Sequence, residues 1–441
     1  MTSAFLIPDE EHYWLTNGHI SASLLDPAIC PDASQLTPEG LTPIQLEIQS
    51  GQIKSLSTGG VPLEPGIPAV DLQGGMVWPC FVDMHTHLDK GHIWPRQPNT
   101  AGTFDNACEA VWTDRSSRWT EEDVYARMGF GLRCSYAHGT QAIRTHIDSI
   151  NGQGAISLRA FWVLQQEWQG RIQLQASSLI PTELYMLPEG EAIANLVAET
   201  PGGILGALTE MGPALDVQLD RMMALAVERG LDLDFHTDES GDPSAITLRH
   251  VAQAVLRNHF PHRVTCGHCC SLAVQPQGTV KTTLELVKAA GIGIVSLPMC
   301  NLFLQNRDPG YTPRWRGVTL LHELRRQGIP VAVSSDNCRD PFFGFGDHDV
   351  LEVFTQSTRI AHLDTPYGTW PQAVTLTPAE LMGLSTVQPL KSGSPADLVL
   401  CRGRTFSEVL SRAQFDRVVL RQGQAIDTTL PDYAELDAIL A

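Results

Sequence analysis

Apolar and polar residues alternate with a period of two near both ends of the chain. In residues 1–75 these short runs are separated by Gly and Pro, as is typical of β-strands. The runs are HISASLL, IQLEIQSGQIKSL and AVDLQG near the start, and ADLVLCRG and DRVVLRQGQAI within residues 390–441. We predict that the two terminal regions, 1–75 and 390–441, together form one small β-sandwich.

Residues 76–389 alternate strand-like segments with helical patterns. Between most strands, apolar residues recur at i, i+3 and i+4, as in LDVQLDRMMALAVERG and LLHELRRQG, and the pattern near Glu189–Glu199 is the weakest. The predicted strands are Gly75–Asp83, Thr140–Thr145, Ile172–Leu179, Gly203–Leu208, Leu231–Phe235, Arg263–Cys266, Gly291–Leu297 and Pro330–Ser334. Eight such units predict an α/β fold, a TIM-like (β/α)8 barrel. An open, doubly wound sheet is the alternative.

Composition narrows the classes of partner. The net charge is -19 and the chain has no basic cluster, which argues against nucleic-acid and anionic-membrane partners. Ten scattered cysteines in a chain of this length predict reduced thiols. The chain shows no secretion signal and no apolar run long enough to span a membrane, so a cytoplasmic location is expected. The expected partners are a small heterocyclic substrate and further copies of the chain in a homo-oligomer.

Polar residues follow several predicted strands, where a barrel places its active site. His85 and His87 in FVDMHTHLDK are two apart, so on a strand both point to one face and can share a metal ion. His236, His268 and Asp336 follow the fifth, sixth and eighth predicted strands. Histidines with a carboxylate suit a divalent transition metal that keeps one position open for water.

Other polar residues near these motifs keep two interpretations. Lys90 either contacts a substrate carbonyl or anion, or pairs with Asp89 or another nearby carboxylate. His92 and His348 lie in predicted loops and are candidates for substrate contacts. His146 ends the second predicted strand, where it either lines the pocket or makes a structural hydrogen bond.

Several segments resemble the amidohydrolase superfamily, and more closely its branch of cytosine deaminases and N-isopropylammelide amidohydrolases. The resemblance spans essentially the whole predicted barrel, and SGSPADLVL is similar to the family's return into the β-sandwich. The matching segments are FVDMHTHLDK, GTQAIRTHID, FHTDES, RVTCGHCCSLA, PMCNLFLQNR and SSDNCRDPFFGFG.

The resemblance implies a ligand set and three catalytic roles. Glu239, three residues after His236, would shuttle protons, and His268 would lie near the attacking water and the reacting carbon. Asp336 would accept a proton from that water while it holds the metal. The implied metal ligands are His85, His87, His236 and Asp336.

The resemblance also bears on the number of metal ions. A second ion in relatives normally needs a bridging lysine or glutamate on the third or fourth strand. None of the five lysines falls there, so one divalent ion per chain, zinc or iron, is expected. Glu183 and Glu210 leave a bridging carboxylate conceivable.

Three departures from cytosine deaminases concern the residues that would bind substrate. Thr182 in LIPTELY replaces a pocket glutamine, Asn337 replaces a second aspartate, and Phe342 matches a stacking tryptophan. Together with Lys90, these residues form the predicted substrate-binding set. Cytosine is therefore not the expected substrate. A ring with mixed donors and acceptors, such as an oxo-triazine, pterin or oxidised purine, fits Asn337 better.

The sequence thus predicts a hydrolase acting on carbon–nitrogen bonds other than peptide bonds. Its expected reaction is metal-dependent hydrolytic deamination of an amino-substituted nitrogen heterocycle. Hydrolysis of an N-alkylamino group or a cyclic amide in the same pocket is the alternative reaction. A barrel that only binds a metal or ligand is the alternative of another class, but Glu239, His268 and Asp336 argue together against it.

Overall fold

A computed structural model describes residues 5–308 and 310–441 in two units. The first takes its described residues from Met1–Val82, Ser135–Gln141 and Val350–Leu430, and the second from Asp83–Cys134, Ala142–Asp349 and Pro431–Ala441. The strands are β1 His12–Ser21, β2 Leu41–Gln49, β3 Gln52–Ser57, β4 Ala69–Asp71, β5 Met76–Pro79, β6 Phe81–Thr86, β7 Thr140–Asp148, β8 Gln173–Pro181, β9 Gly203–Leu208, β10 Leu233–Thr237, β11 Val264–His268, β12 Gly293–Ser296, β13 Val331–Val333, β14 Leu398–Cys401, β15 Val418–Arg421 and β16 Gln424–Ala425.

Helices occupy most connections between the strands of the second unit. None in the described part of the chain is long and apolar enough to cross a membrane. The α-helices are α1 Phe104–Arg118, α2 Glu121–Ala137, α3 Gln153–Glu167, α4 Pro188–Glu199, α5 Leu215–Arg229, α6 Thr247–Arg257, α7 Gln277–Ala289, α8 Pro298–Leu304, α9 Leu321–Arg326, α10 Val350–Ala361, α11 Leu376–Met382, α12 Phe406–Leu410 and α13 Asp437–Leu440.

The sheet of the first unit combines strands from both ends of the chain. Its order is β16-β15-β14-β5-β1-β2-β3, with β4 paired to β1. The run IQLEIQSGQIKSL forms the hairpin β2–β3, because Ser50 and Gly51 both have positive φ and turn the chain. The predicted domain boundaries at 75/76 and 389/390 stay a proposal.

The sheet of the second unit is an eight-stranded barrel in the order β13-β12-β11-β10-β9-β8-β7-β6. A parallel bridge between Thr86 and Asp336 joins its ends. There the Asp336 N–H donates to the His85 carbonyl at 2.8 Å, and the His87 N–H donates to the Asp336 carbonyl at 3.2 Å. The barrel prediction is confirmed, and an open sheet would lack this bridge.

Local structure departs from the prediction at two elements of this region. The predicted strand Gly75–Asp83 is divided into β5 and β6, because the chain changes partners at Cys80: β5 pairs antiparallel with β14, whereas Phe81 donates its N–H to Gly139. Helix α1 was not predicted, since FDNACEAVWTDRSSR carries no continuous apolar stripe. Helix α4 confirms the weak pattern at Glu189–Glu199, and begins at Pro188.

Candidate active site

The barrel strands bring the predicted metal ligands together at one end. His85 and His87 lie on β6, His236 lies on β10, and Asp336 follows β13; all four are buried. Asp336 Oδ1 lies 3.5 Å from His85 Nε2 and 3.2 Å from His87 Nε2. His236 Nε2 lies 3.4 Å from His87 Nε2. Each of these ligand atoms therefore lies within 3.5 Å of another, a close spacing of the kind that a metal site requires.

The unsatisfied atoms of this cluster test whether a metal fits it. Within the described residues, His85 Nε2, Asp336 Oδ1 and His268 Nε2 are buried without a hydrogen-bond partner. Buried polar atoms are costly unless they are paired. Three sets of three residues at this end of the barrel place their ligand atoms within 4.8 Å of one another: His85, His87 and His146; His85, His236 and His268; and Glu239, His268 and Asp336. A divalent cation would satisfy His85 Nε2 and Asp336 Oδ1, so the predicted ligands fit a metal ion.

The pKa values of these residues also indicate that the cluster lacks a positive charge. Burial, with the neighbouring imidazoles, holds the pKa of His85 well below its ordinary value, and burial has the same effect on His87 and His236. Neutral imidazole is the metal-binding form. Burial and the nearby Asp340 raise the pKa of Asp336 to about 8. A bound cation would reverse this shift by favouring the carboxylate.

Backbone strain occurs at two of the strand ends. His268 has φ 67° and Asp336 has φ 65°, in the left-handed region that residues other than glycine rarely adopt. Such conformations cost on the order of 1–3 kcal/mol and persist where the surroundings fix them, often at functional sites. Here the positive φ angles turn the backbone sharply at His268 and Asp336, which are both residues of the candidate site.

Glu239 and His268 form a hydrogen-bonding group with a third residue, Asn301. Glu239 Oε1 lies 3.3 Å from His268 Nδ1 and also accepts from Asn301 Nδ2 at 3.3 Å. Asn301 Nδ2 is 3.0 Å from His268 Nδ1. If Asn301 donates there, the imidazole proton sits on Nε2, on the side of the metal ligands. Burial and then Asp336 raise the pKa of Glu239 well above its ordinary value.

Asn301 was missed by the sequence reasoning, although it lies in PMCNLFLQNR, a segment that carries the family resemblance. It is fully buried on helix α8, which no strong apolar period predicted. Gln305, just after that helix, donates from Nε2 to the Glu239 carbonyl at 3.0 Å. Helix α8 therefore holds both the side chain and the backbone of Glu239.

Lys90 forms an ion pair with Asp148 and not with Asp89. Its Nζ donates to Asp148 Oδ1 at 2.7 Å, and Arg115 Nη1 donates to Asp148 Oδ2 at 2.9 Å. Asp89 Oδ2 instead accepts the Asp148 N–H at 2.8 Å. Although burial opposes it, Asp148 and Asp89 raise the pKa of Lys90, which keeps it charged.

Asn337 and Phe342 both line the cavity next to the metal ligands. Asn337 Nδ2 donates to Asp340 Oδ2 at 2.7 Å, so its amide is held by a buried carboxylate. Phe342 is half-buried, and Lys90 Nζ lies 5.4 Å from the centre of its ring. Asp340 also accepts the Phe342 N–H at 2.8 Å, which fixes the loop that carries both residues.

A cavity of about 450 Å³ opens onto the metal ligands. One side is formed by strand ends and their loops, including His87, His236, Glu239, His268 and Asp336. Another side is formed by helix α1, through Phe104, Cys108, Glu109, Val111, Trp112 and Arg115. Volumes of this order hold small-molecule ligands. The contribution of α1 was not foreseen.

Two of the residues considered in the sequence analysis, Thr182 and Glu183, do not line the cavity. Thr182 is outside the cavity lining: it is buried, and its hydroxyl donates to Gln218 Oε1 at 3.0 Å, while the preceding Pro181 lines the cavity. Its predicted role in substrate binding stays a prediction with no contact to support it. Glu183 is exposed and does not line the cavity, whereas Glu210 lines it.

His92 and His348 form a pair of their own. Their Nε2 atoms are 3.1 Å apart, both residues are buried, and neither lines the cavity at the metal ligands. His146 likewise lies beneath the cavity, with its ring centre 3.9 Å from that of His85. Its Nε2 is 3.2 Å from Asp234 Oδ1. His146 does not line the cavity, and neither of its ring nitrogens has a hydrogen-bond partner among the described residues. With His85 and His87 it forms a group whose ligand atoms could hold a metal ion.

A closed eight-stranded barrel with histidines and a carboxylate at its strand ends defines a metal-dependent hydrolase of the amidohydrolase kind. The model of the amidohydrolase family matches residues 69–130 and 182–422, and the chain belongs to this family.

The chain is 49% identical to a pterin deaminase of Rhizobium rhizogenes (strain K84 / ATCC BAA-868), over 91% of this chain and 92% of that protein. It is 25% identical to N-isopropylammelide isopropyl amidohydrolase of Pseudomonas sp. (strain ADP), over 75% of this chain and 81% of that protein. Among solved structures, 5-methylcytosine deaminase of Klebsiella pneumoniae with 5-fluorocytosine is similar in fold, with TM-score 0.80, 24% identity and coverage of 95% and 98%.

These findings confirm two predictions. The chain is a hydrolase that acts on carbon–nitrogen bonds, and its reaction falls within hydrolytic deamination of nitrogen heterocycles. The resemblance to the amidohydrolase superfamily is confirmed together with its branch.

Proposed function

We propose that this protein hydrolytically deaminates a fused, oxo-substituted amino-heterocycle of the pterin class. The observation that carries the proposal is the cavity in which the histidine–aspartate cluster, Glu239 and His268 meet. The 49% identity to a pterin deaminase over most of both chains supports the choice of ring. Water would replace the exocyclic amine, and ammonia would leave.

The cavity walls favour such a ring over cytosine. Asn337 offers both a donor and an acceptor at the position where the resemblance to cytosine deaminases implies an aspartate. Lys90 adds a cation near Phe342, suited to a ring carbonyl. A hydrogen-bonding site of this kind rejects rings that leave its buried polar groups unpaired. Cytosine presents a single ring without the second ring and its acceptor nitrogens, so we expect it to be a poor substrate.

The proposed cofactor is one divalent ion, zinc or iron, in each active site. His85, His87, His236 and Asp336 would hold it. When bound, such an ion would lower the pKa of a coordinated water and so supply the nucleophile. The third and fourth barrel strands, β8 and β9, carry no lysine that could bridge two ions, which favours a single ion. The cytoplasmic location and the homo-oligomer stay predictions.

The remaining steps belong to the side chains. Asp336 accepts the proton of the attacking water, and His268, through Nε2–H, orients the oxygen and polarises it. Glu239 delivers its proton to the ring nitrogen beside the amine-bearing carbon. The proton held by Asp336 then passes to the departing amine, and Glu239 takes up the hydroxyl proton as the new carbonyl forms, so both carboxyl groups return to their starting states. Phe342 stacks on the flat ring, a contact that tolerates several ring types. Asn301 holds Glu239 and His268 at their spacing.

The test is product analysis with the metal-loaded protein and a panel of pterins, triazines and pyrimidines. The proposal expects equimolar ammonia and the dioxo ring from a pterin. Release of an alkylamine from N-alkylamino rings, or a ring-opened acid, with no reaction on pterins, would instead support the alternative hydrolysis. A fully metal-loaded protein that turns over no member of the panel would support a binding protein and contradict the proposal.

A further inference from the structure

Helix α1 brings a second cation to the cavity beside Lys90. Lys90 and Arg115 each hold one oxygen of Asp148, at 2.7 and 2.9 Å, and all three side chains line the cavity. Lysine has three N–H donors and arginine has five. The structure gives each cation one hydrogen bond to the described residues. This part of the cavity is therefore rich in donors that a substrate can use.

Arg115 is held in a defined orientation. Its side chain is only 9% exposed, and the centre of its guanidinium lies 5.1 Å from the centre of the Trp112 ring. Asp148 fixes one end of the guanidinium through Nη1. A planar guanidinium offers paired donors in a rigid fork, so it matches two neighbouring acceptors, whereas a lysine ammonium acts as a point charge.

We propose that Arg115 determines specificity by binding two adjacent acceptors of the substrate, a ring carbonyl oxygen and the nitrogen of the fused ring next to it. The inference rests on the proposed function, and names the edge of the ring that is recognised. In a pterin this edge is formed by O4 and N5. The O6 and N7 atoms of guanine form the same pattern, which arginine binds with both donors in nucleic acids.

This assignment explains how the cavity can discriminate between substrates with fused rings and substrates with a single ring. A pyrimidine with one carbonyl has no second acceptor at the corresponding place, so one donor of the fork stays unpaired. Unpaired buried donors weaken binding in the transition state and lower kcat/KM. The wall that α1 contributes would then select the ring, while the strand ends carry out the chemistry.

The experiment compares pterin with 5-deazapterin, in which the acceptor N5 is replaced by C–H and the amine is unchanged. It measures kcat/KM for both in the wild type and in Arg115→Lys, which keeps the charge beside Asp148 but not the fork. We expect the wild type to prefer pterin by roughly 5- to 160-fold, the worth of a bidentate pair. Arg115→Lys should bring this ratio close to one, chiefly by lowering kcat/KM for pterin.

Arg118→Lys is the matched control, because Arg118 is an exposed residue of the same helix whose Nη1 contacts the Ala441 carbonyl at 3.2 Å. It should keep the wild-type ratio. Equal kcat/KM for the two rings in the wild type, or an equal loss for both rings in Arg115→Lys, would overturn the inference, since an equal loss means that Arg115 only anchors α1. No turnover of pterin by a wild type that deaminates other rings would contradict the proposed function instead.

Discussion

The strand ends and helix α1 form two sides of one cavity, and they are built differently. At the strand ends, His85 and Asp336 are almost wholly buried, and their ligand atoms His85 Nε2 and Asp336 Oδ1 have no hydrogen-bond partner among the described residues. On α1, Trp112 is 49% exposed, and Arg115 is satisfied in part by Asp148. The strand ends need a cation to be complete, whereas α1 is stable as it stands.

This difference indicates that the strand ends carry out the reaction and that helix α1 selects the substrate. Rigid, parallel strands hold reacting groups within the tolerances that catalysis requires. A helix in the connection between β6 and β7 can change its side chains without disturbing the barrel. Substitutions at the strand ends should therefore abolish turnover, while those on α1 should change which ring is accepted and how tightly.

The largest effect is expected from His85→Ala combined with His87→Ala. The site loses two ligands from one strand, so bound metal and deaminase activity should both disappear. Elemental analysis together with ammonia release measures both. The matched control is His259→Ala with His262→Ala, two histidines outside the cavity lining, which should retain one ion per active site. A double variant at β6 that keeps its metal would contradict the ligand assignment.

Glu239→Gln should keep the metal and lose roughly 10²- to 10⁴-fold in kcat, the usual worth of a positioned acid–base group. Glutamine preserves the shape and the bond from Asn301 but cannot transfer a proton. Glu183→Gln is the comparison, because Glu183 is exposed and does not line the cavity. Near-normal turnover in Glu239→Gln would assign proton transfer to another residue, with Glu210, which also lines the cavity, the next to examine.

Asn301→Leu should lower kcat by about 10- to 100-fold, as removal of a supporting hydrogen bond does at other metal centres. Asn301 touches His268 and Glu239 but is not a predicted metal ligand, so metal content should be unchanged. Asn195→Leu, at a residue on α4 that bonds Arg229, is a control outside this network. If Asn301→Leu loses its metal as well, the residue supports the ligands and not the proton path.

Trp112→Ala should have the smallest effect, a rise in KM of about threefold to tenfold with little change in kcat. The indole lines the cavity but is half exposed, so its burial by substrate is partial. Trp162→Ala removes an equally exposed tryptophan, on α3, that does not line the cavity. A fall in kcat with unchanged KM would mean that Trp112 acts in the reaction step. That result would contradict the division of roles between the strand ends and helix α1.

The sequence was informative where local spacing determines geometry. The HxH pair on β6 and the order of His236, His268 and Asp336 predicted the cluster, because strand period and barrel topology carry side chains to one end. Asn301 and Arg115 were missed because their helices lack a clear apolar period. Their roles depend on contacts across 62 and 33 residues of sequence, to Glu239 and Asp148, which only the folded chain shows.

Thr182 shows what a position in a motif leaves undetermined, and its role in substrate binding stays a prediction. Alignment with a pocket glutamine suggested a substrate contact, yet the threonine hydroxyl is used by Gln218 on helix α5. Pro181, the last residue of β8, lines the cavity, whereas Thr182 does not. Position in a motif predicted the location of the backbone but not the partner of the side chain.

The most direct test of the account is kcat/KM for pterin measured beside kcat/KM for cytosine, with the same metal-loaded protein. The account predicts that pterin is turned over efficiently and that cytosine is poorer by about 10⁴-fold or more, because cytosine leaves buried polar groups of the cavity unpaired. Cytosine turned over at the efficiency of a dedicated enzyme, and ahead of pterin, would contradict it.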